Sequence, residues 1–279
     1  MSDETHRLVR TVFFLSDRTG ITAETLGHSL LTQFNGIDFQ RITLPFIDSP
    51  DKAREAVDRI NEATRRGGVR PLVFSTLVDD EIRAMMHTAE GLCIDFFDAF
   101  IGPLERELQI RSSHAAGRAH GAHDLENYTR RIDAMNFALS SDDGVNPRNY
   151  ADAEVILVGV SRTGKTPTCL YLALHYGINA ANCPMTEDDL EQGRFPQTLD
   201  AHRDRLFGLT IEPSRLQGIR QERRPDSQYA STRQVHYEVK EAEAMFRRHR
   251  IPYVDTTHYS VEEIATTVLQ EAGLRRHLH

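Results

Sequence analysis

Eight consecutive residues, Gly159-Val160-Ser161-Arg162-Thr163-Gly164-Lys165-Thr166, fit the pattern G-x-x-x-x-G-K-[ST] at every fixed position. That spacing suits the cradling of a phosphate. Its glycines let the backbone close around an anion, and successive N–H groups point at it. The helix that follows adds roughly half a positive charge at its N-terminus. Lys165 is placed to neutralise a terminal phosphate, and the Thr166 hydroxyl to hold Mg²⁺. Four such positions match by accident in on the order of one chain in a hundred of this length. The flanks agree with the motif. Val155-Ile156-Leu157-Val158 predicts a buried parallel strand. Cys169 to Leu174 predicts a buried helix, and Pro167 is tolerated in a first helical turn.

Other residues could serve the same chemistry. Ser16-Asp17-Arg18-Thr19-Gly20 follows a predicted strand, Leu8 to Leu15. Ligands of parallel sheets bind at the carboxyl ends of strands. Asp17 and Thr19 are therefore candidates for a general base or an anion contact, against the alternative of a capped turn. Asp142-Asp143-Gly144 offers carboxylates for Mg²⁺ or for proton transfer, or it is simply a turn. Of these, Asp143 is the candidate for catalysis. Asp255 follows the strand predicted at 251–254 and is a candidate second partner for Mg²⁺, or a cap for the last helix. Arg220, Arg223, Arg224 and Arg233 surround a turn; they read as a lid that neutralises a transferred phosphoryl group or as a solvated face. His114, His120 and His123 share a polar loop with no acids or cysteines to complete a metal site, so a solvated loop is expected there.

The elements that must position these residues alternate. Helices are expected at 21–34, 50–66, 79–87, 103–110 and 128–139, between strands at 8–15, 38–44, 71–75 and 92–94. Beyond the phosphate loop, strands are expected at 206–211 and 251–254, with helices at 213–221, 235–249 and 261–270. The rhythm predicts an α/β fold with parallel sheets covered by helices. The turn cluster Ser141 to Pro147 suggests a boundary. An N-terminal parallel-sheet α/β domain (1–146) would precede a P-loop kinase-like α/β domain (147–279).

Composition narrows the class. Of 279 residues, 39% are hydrophobic and 27% charged, as in a globular chain. The net charge of −8 argues against a nucleic-acid partner. Three scattered cysteines form no C-x-x-C pair, which suits a reducing compartment. No apolar run reaches the ~18 residues of a membrane span. Met1-Ser2-Asp3-Glu4 has neither part of a signal peptide, so a cytoplasmic location is expected.

Several longer segments carry a resemblance. They are Ser16-Asp17-x-Thr19-Gly20-Ile21-Thr22-Ala23-Glu24-Thr25, Asn127 to Ala138 followed by Asp142-Asp143-Gly144, and Gly164-Lys165-Thr166-Pro167-Thr168. Phe207-Gly208-Leu209-Thr210, Ile219 to Pro225, Tyr229-Ala230-Ser231, Tyr237-Glu238-Val239 and Glu241-Ala242-Glu243-Ala244 complete them. Nearly end to end, the chain resembles the pyruvate, phosphate/water dikinase regulatory proteins, including those of bacterial phosphoenolpyruvate synthase. The resemblance implies a bifunctional serine/threonine kinase and phosphorylase. ADP would phosphorylate and inactivate a dikinase threonine, and inorganic phosphate would remove that group as pyrophosphate. The family's nucleotide loop maps onto Gly159 to Thr166. Arg18 departs from the family, standing where glycine is expected. Asp17 would reach the loop within one subunit or across a homodimer. A P-loop small-molecule kinase with an accessory N-terminal domain, and a nucleotide-gated binding module, are the alternatives.

Overall fold

The computed structural model describes residues 8–113, 124–225 and 227–277. His114, His120 and His123 lie outside the described residues. The chain divides into two compact units, Met1–Gly121 and Ala122–His279, and each has a four-stranded parallel sheet. The α/β class expected from the alternating pattern is the class observed.

In the first unit, strands β1 (Leu8–Leu15), β2 (Ile37–Leu44), β3 (Leu72–Ser75) and β4 (Leu92–Asp95) alternate with helices α1 (Ile21–Leu31), α2 (Pro50–Gly67), α3 (Asp80–Met86) and α4 (Phe96–Leu108). The strand order is β2-β1-β3-β4. Successive side chains of a strand face opposite ways, so β1 feeds two cores. Phe13 and Leu15 pack with Ile60, Val73 and Leu77, whereas Val12 and Phe14 pack with Ala23, Leu31, Phe74 and Phe96. Helix α4 starts seven residues before the expected Pro103, because the Asp95 side chain accepts the Asp98 N–H at 3.0 Å and caps it. Pro103 lies inside that helix.

The second unit begins with α5 (Asp124–Ser140). It continues through β5 (Val155–Gly159), α6 (Lys165–Tyr176), β6 (Ala180–Pro184), α7 (Glu187–Gln192), β7 (Leu206–Thr210), α8 (Pro213–Arg223), α9 (Thr232–His249), β8 (Tyr253–Asp255) and α10 (Val261–Glu271). Its order, β6-β5-β7-β8, repeats the topology of the first unit. In each sheet the chain leaves the first strand toward one neighbour and later crosses to the other. The carboxyl ends of β1 and β5 are therefore the two switch points, where open α/β sheets place ligands.

The units divide earlier than the boundary expected at 146/147. Helix α5 belongs to the second, because Ala134 and Ala138 are buried against Leu157, Cys169 and Leu172. The turn cluster at 141–147 lies inside that unit, not between units. Among the described residues no helix is long and apolar enough to cross a membrane. A fragment of residues 122–279 is expected to unfold in one cooperative thermal transition followed by circular dichroism. A fragment of residues 147–279 uncovers the core beneath Ala134 and Ala138 and should show none.

Candidate phosphate-binding site

Strand β5 is buried along its whole length, as its apolar sequence requires between two parallel neighbours. At its end the chain must turn close to β7. A Cβ on Gly159 would lie 2.4 Å from the Leu209 carbonyl oxygen, so only glycine fits. The loop then runs through left-handed conformations at Arg162 (φ 77°) and Gly164 (φ 92°) before α6 starts at Lys165. For Arg162 this conformation costs ~1–2 kcal/mol. The backbone N–H groups of Arg162, Thr163 and Gly164 have no acceptor among the described residues. Such a run of free donors at a helix N-terminus is an anion nest.

A cavity of about 530 Å³ opens at this loop. It is lined by Ser161, Arg162, Gly164, Lys165, Thr166 and Pro167 from the loop and α6, and by Asp143, Pro184, Ile219 and Arg223 from around it. Gly159, Val160 and Thr163 form the loop's inner wall. Val160 and Thr163 are buried, and the Thr163 hydroxyl donates to the Val160 carbonyl at 3.1 Å.

Lys165 lines the cavity yet is only 5% exposed. Its ammonium donates to the carbonyls of Gly159 and Val160, both at 2.9 Å. The loop carbonyls thus hold the charge that the motif assigns to a phosphate. Burial pulls the Lys165 pKa down from 10.5 to about 8, against the opposing pull of Asp143.

The carboxylate beside Thr166 is Asp142. The Thr166 hydroxyl donates to Asp142 Oδ1 at 2.8 Å, and the Asn182 amide donates to the same oxygen. Asn182 also accepts the Asp143 N–H at 3.0 Å. This fully buried amide on β6 thereby orders both acids. Asp143 takes a left-handed conformation (φ 48°) in the short 3-10 turn Asp142–Gly144. Strained non-glycine residues of this kind cluster at functional sites. A threonine hydroxyl and a carboxylate are hard oxygen donors, and Mg²⁺ commonly takes one or two protein oxygens together with phosphate oxygens. The pair Thr166 and Asp142 fits that pattern.

Asp255 does not. It lies at the end of β8, separated from β5 by β7, and its Oδ1 accepts the Thr257 N–H at 2.9 Å and the Thr257 hydroxyl. Asp255 organises the turn before α10, and the carboxylate bonded to Thr166 is that of Asp142. The arginine cluster also separates. Arg223 reaches the cavity, Arg224 and Arg233 are exposed, and Arg220 is fully buried in an ion pair with Glu238 at 2.6 Å. Asn182 escaped the sequence reading because β6, Ala-Ala-Asn-Cys-Pro, has no β-branched residue to mark a strand. Tyr229 and Glu238 stood out only within the resemblance.

The loop at 16–20 holds in the first unit the topological place that 159–166 holds in the second. Ser16 is buried, and its hydroxyl accepts the Arg18 N–H at 3.1 Å. Gly20 takes the left-handed conformation and Arg18 does not; the turn therefore makes no demand for glycine at position 18. One carboxylate oxygen of Asp17 is buried with no hydrogen-bond partner among the described residues.

A motif-bearing loop with free backbone donors, set at the switch point of a parallel sheet, gives this α/β protein a candidate anion site. Comparison with known sequences gives the family. The kinase/pyrophosphorylase family matches residues 12–269. A relative from Alkalilimnicola ehrlichii is 57% identical over 97% of this chain and 98% of its own length. One from Hahella chejuensis is 55% identical over 96% and 99%, and one from Marinobacter nauticus 54% over 96% and 99%. All three carry the provisional name phosphoenolpyruvate synthase regulatory protein. The chain belongs to the kinase/pyrophosphorylase family.

The lowered pKa of Lys165 has a measurable sign. Without ligand the ammonium loses its proton as pH rises through about 8, while a bound phosphate favours the charged form. Phosphate binding should therefore take up protons at pH 8–9 and weaken as pH rises further. Calorimetry in two buffers of different ionisation enthalpy checks this. The group's effect on folding has the corresponding sign. Burying the ammonium opposes folding below pH 8, and the penalty fades between pH 8 and 10.5 as the unfolded chain holds the extra proton.

Proposed function

We propose that this protein is an ADP-dependent protein threonine kinase that also runs a phosphate-dependent, pyrophosphate-forming dephosphorylation. Its substrate on this reading is phosphoenolpyruvate synthase or a related dikinase, in the cytoplasm. The observation that carries the reading is the cavity in which the phosphate loop, Asp143 and Arg223 converge, with Asp142 bonded to the Thr166 that lines it. The family description, kinase/pyrophosphorylase, supports both activities. The relatives' names support the target.

In the kinase direction the threonine oxygen bonds to the β-phosphorus of ADP. The bond to the bridging oxygen breaks, AMP leaves, and the hydroxyl proton passes to a base. In the other direction an oxygen of inorganic phosphate attacks the phosphothreonine phosphorus. Pyrophosphate forms and the threonine oxygen takes back a proton. Both transfers develop similar charge on a phosphoryl group, so one set of preorganised donors can serve both. The N–H groups of Arg162 to Gly164 hold phosphate oxygens, and Lys165 turns from the Gly159 and Val160 carbonyls to the terminal phosphate. Thr166 and Asp142 would hold Mg²⁺, which would supply charge neutralisation on the phosphates. Asp143, on the cavity wall, is the proposed base, and Arg223 the cation over the transferred group. Asp17 is proposed to orient the target hydroxyl or the attacking phosphate, and the protein to work as a homodimer.

Incubation with the dikinase and labelled ADP or ATP tests the reading. Label should enter a threonine from ADP. Transfer to a small metabolite instead would overturn the protein-kinase assignment, and nucleotide binding without transfer would overturn the activity. Asp142→Asn should lower the rate in both directions by at least tenfold, about 1.4 kcal/mol of barrier, and raise the Mg²⁺ requirement. Asp17→Asn should leave ADP affinity near normal while lowering one or both rates by at least tenfold, about 1.4 kcal/mol.

A further inference from the structure

Arg220 is the largest fully buried side chain of the described residues and lies outside the proposed transfer chemistry. Its guanidinium makes four contacts. Nη2 pairs with Glu238 Oε2 at 2.6 Å and donates to the Ser161 carbonyl at 3.2 Å. Nη1 donates to the Tyr229 carbonyl at 3.0 Å, and the guanidinium lies 4.1 Å from the centre of the Tyr229 ring. The Tyr229 hydroxyl then donates to Ser161 Oγ at 2.8 Å. Ser161 is thus gripped at both its backbone and its side chain by residues of the α8–α9 hairpin.

The grip has a consequence one bond away. In a trans peptide the C=O and the following N–H point in opposite directions, and the described chain has no cis peptide. Fixing the Ser161 carbonyl on Arg220 therefore turns the Arg162 N–H away from Arg220. It also holds Arg162 in the left-handed conformation that opens the nest. Resting on the nucleotide-site reading, we propose that Arg220, with Tyr229 and Glu238, is a positioning unit that holds the Ser161–Arg162 peptide in its anion-binding orientation. Arg220 touches no phosphate. It acts through Ser161, and it links the loop to the helix that ends in Arg223.

The test is a double-mutant cycle read by calorimetry with inorganic phosphate and with ADP plus Mg²⁺. Arg220→Lys keeps a charge for Glu238 but cannot span three acceptors in a plane, and should weaken both ligands by about tenfold. Tyr229→Phe keeps the ring under Arg220 and removes only the bond to Ser161, and should weaken them by about fivefold. Arg162→Gly lets the loop take its left-handed turn without support. In that background both losses should shrink to less than about threefold. A simple folding defect or a direct Arg220–phosphate contact predicts equal losses in both backgrounds, and that result overturns the proposal. So does a Tyr229→Phe protein that binds as tightly as wild type. If Arg220→Lys fails to fold, judged by its thermal transition, the Tyr229 cycle decides alone. Wild-type protein that binds neither ligand would sink the nucleotide-site reading and this inference with it; normal wild-type binding with unaltered variants sinks only the inference.

Discussion

A loop that binds an anion through its backbone must hold several N–H donors together, pointing the same way and unpaired. The loop at 159–166 has the form that this constraint requires. Parallel donors repel one another, and the conformations that align them are unfavourable for any residue with a side chain. The structure meets the problem from three sides. Close approach of β7 fixes the loop at Gly159, Lys165 bonds the Gly159 and Val160 carbonyls from within, and the α8–α9 hairpin holds Ser161 from without. The loop is not a flexible glycine turn but a braced one.

The acids of the site are braced in the same manner. Asn182 spends both ends of its amide on the turn at 142–144, accepting from the Asp143 N–H and donating to Asp142. A buried amide with its donors and acceptor satisfied is a rigid support. It brings the end of α5, the strand β6 and the start of α6 to one place. The packing of α5 through Ala134 and Ala138 delivers the turn that follows it, with its two carboxylates, to the loop at 159–166.

The two sheets share one strand order, and each has its most chemically suggestive loop at the same topological position. In one unit that loop carries backbone donors and a buried lysine, in the other a serine, an aspartate and a threonine.

The sequence by itself determined the phosphate loop, because its four fixed residues answer local demands: a glycine where a Cβ would meet the Leu209 carbonyl, a glycine in the left-handed conformation, and a lysine and a hydroxyl at the start of a helix. Alternation of apolar runs and amphipathic stretches likewise determined the α/β class. The sequence could not say which acid meets Thr166. Asp142, Asp143 and Asp255 all follow predicted elements, and only the folded chain shows that Asp142 bonds Thr166 while Asp255, at the end of an outer strand, bonds Thr257. Nor could it separate four arginines on one turn, of which the fold buries one against Glu238 and leads another to the cavity. Strand β6 and its Asn182 were hidden because pairing with β5, rather than intrinsic preference, makes that segment extended. Local chemistry is written in neighbouring residues; the partner that a side chain meets across tens or hundreds of positions is set by packing, and only the tertiary structure decides it.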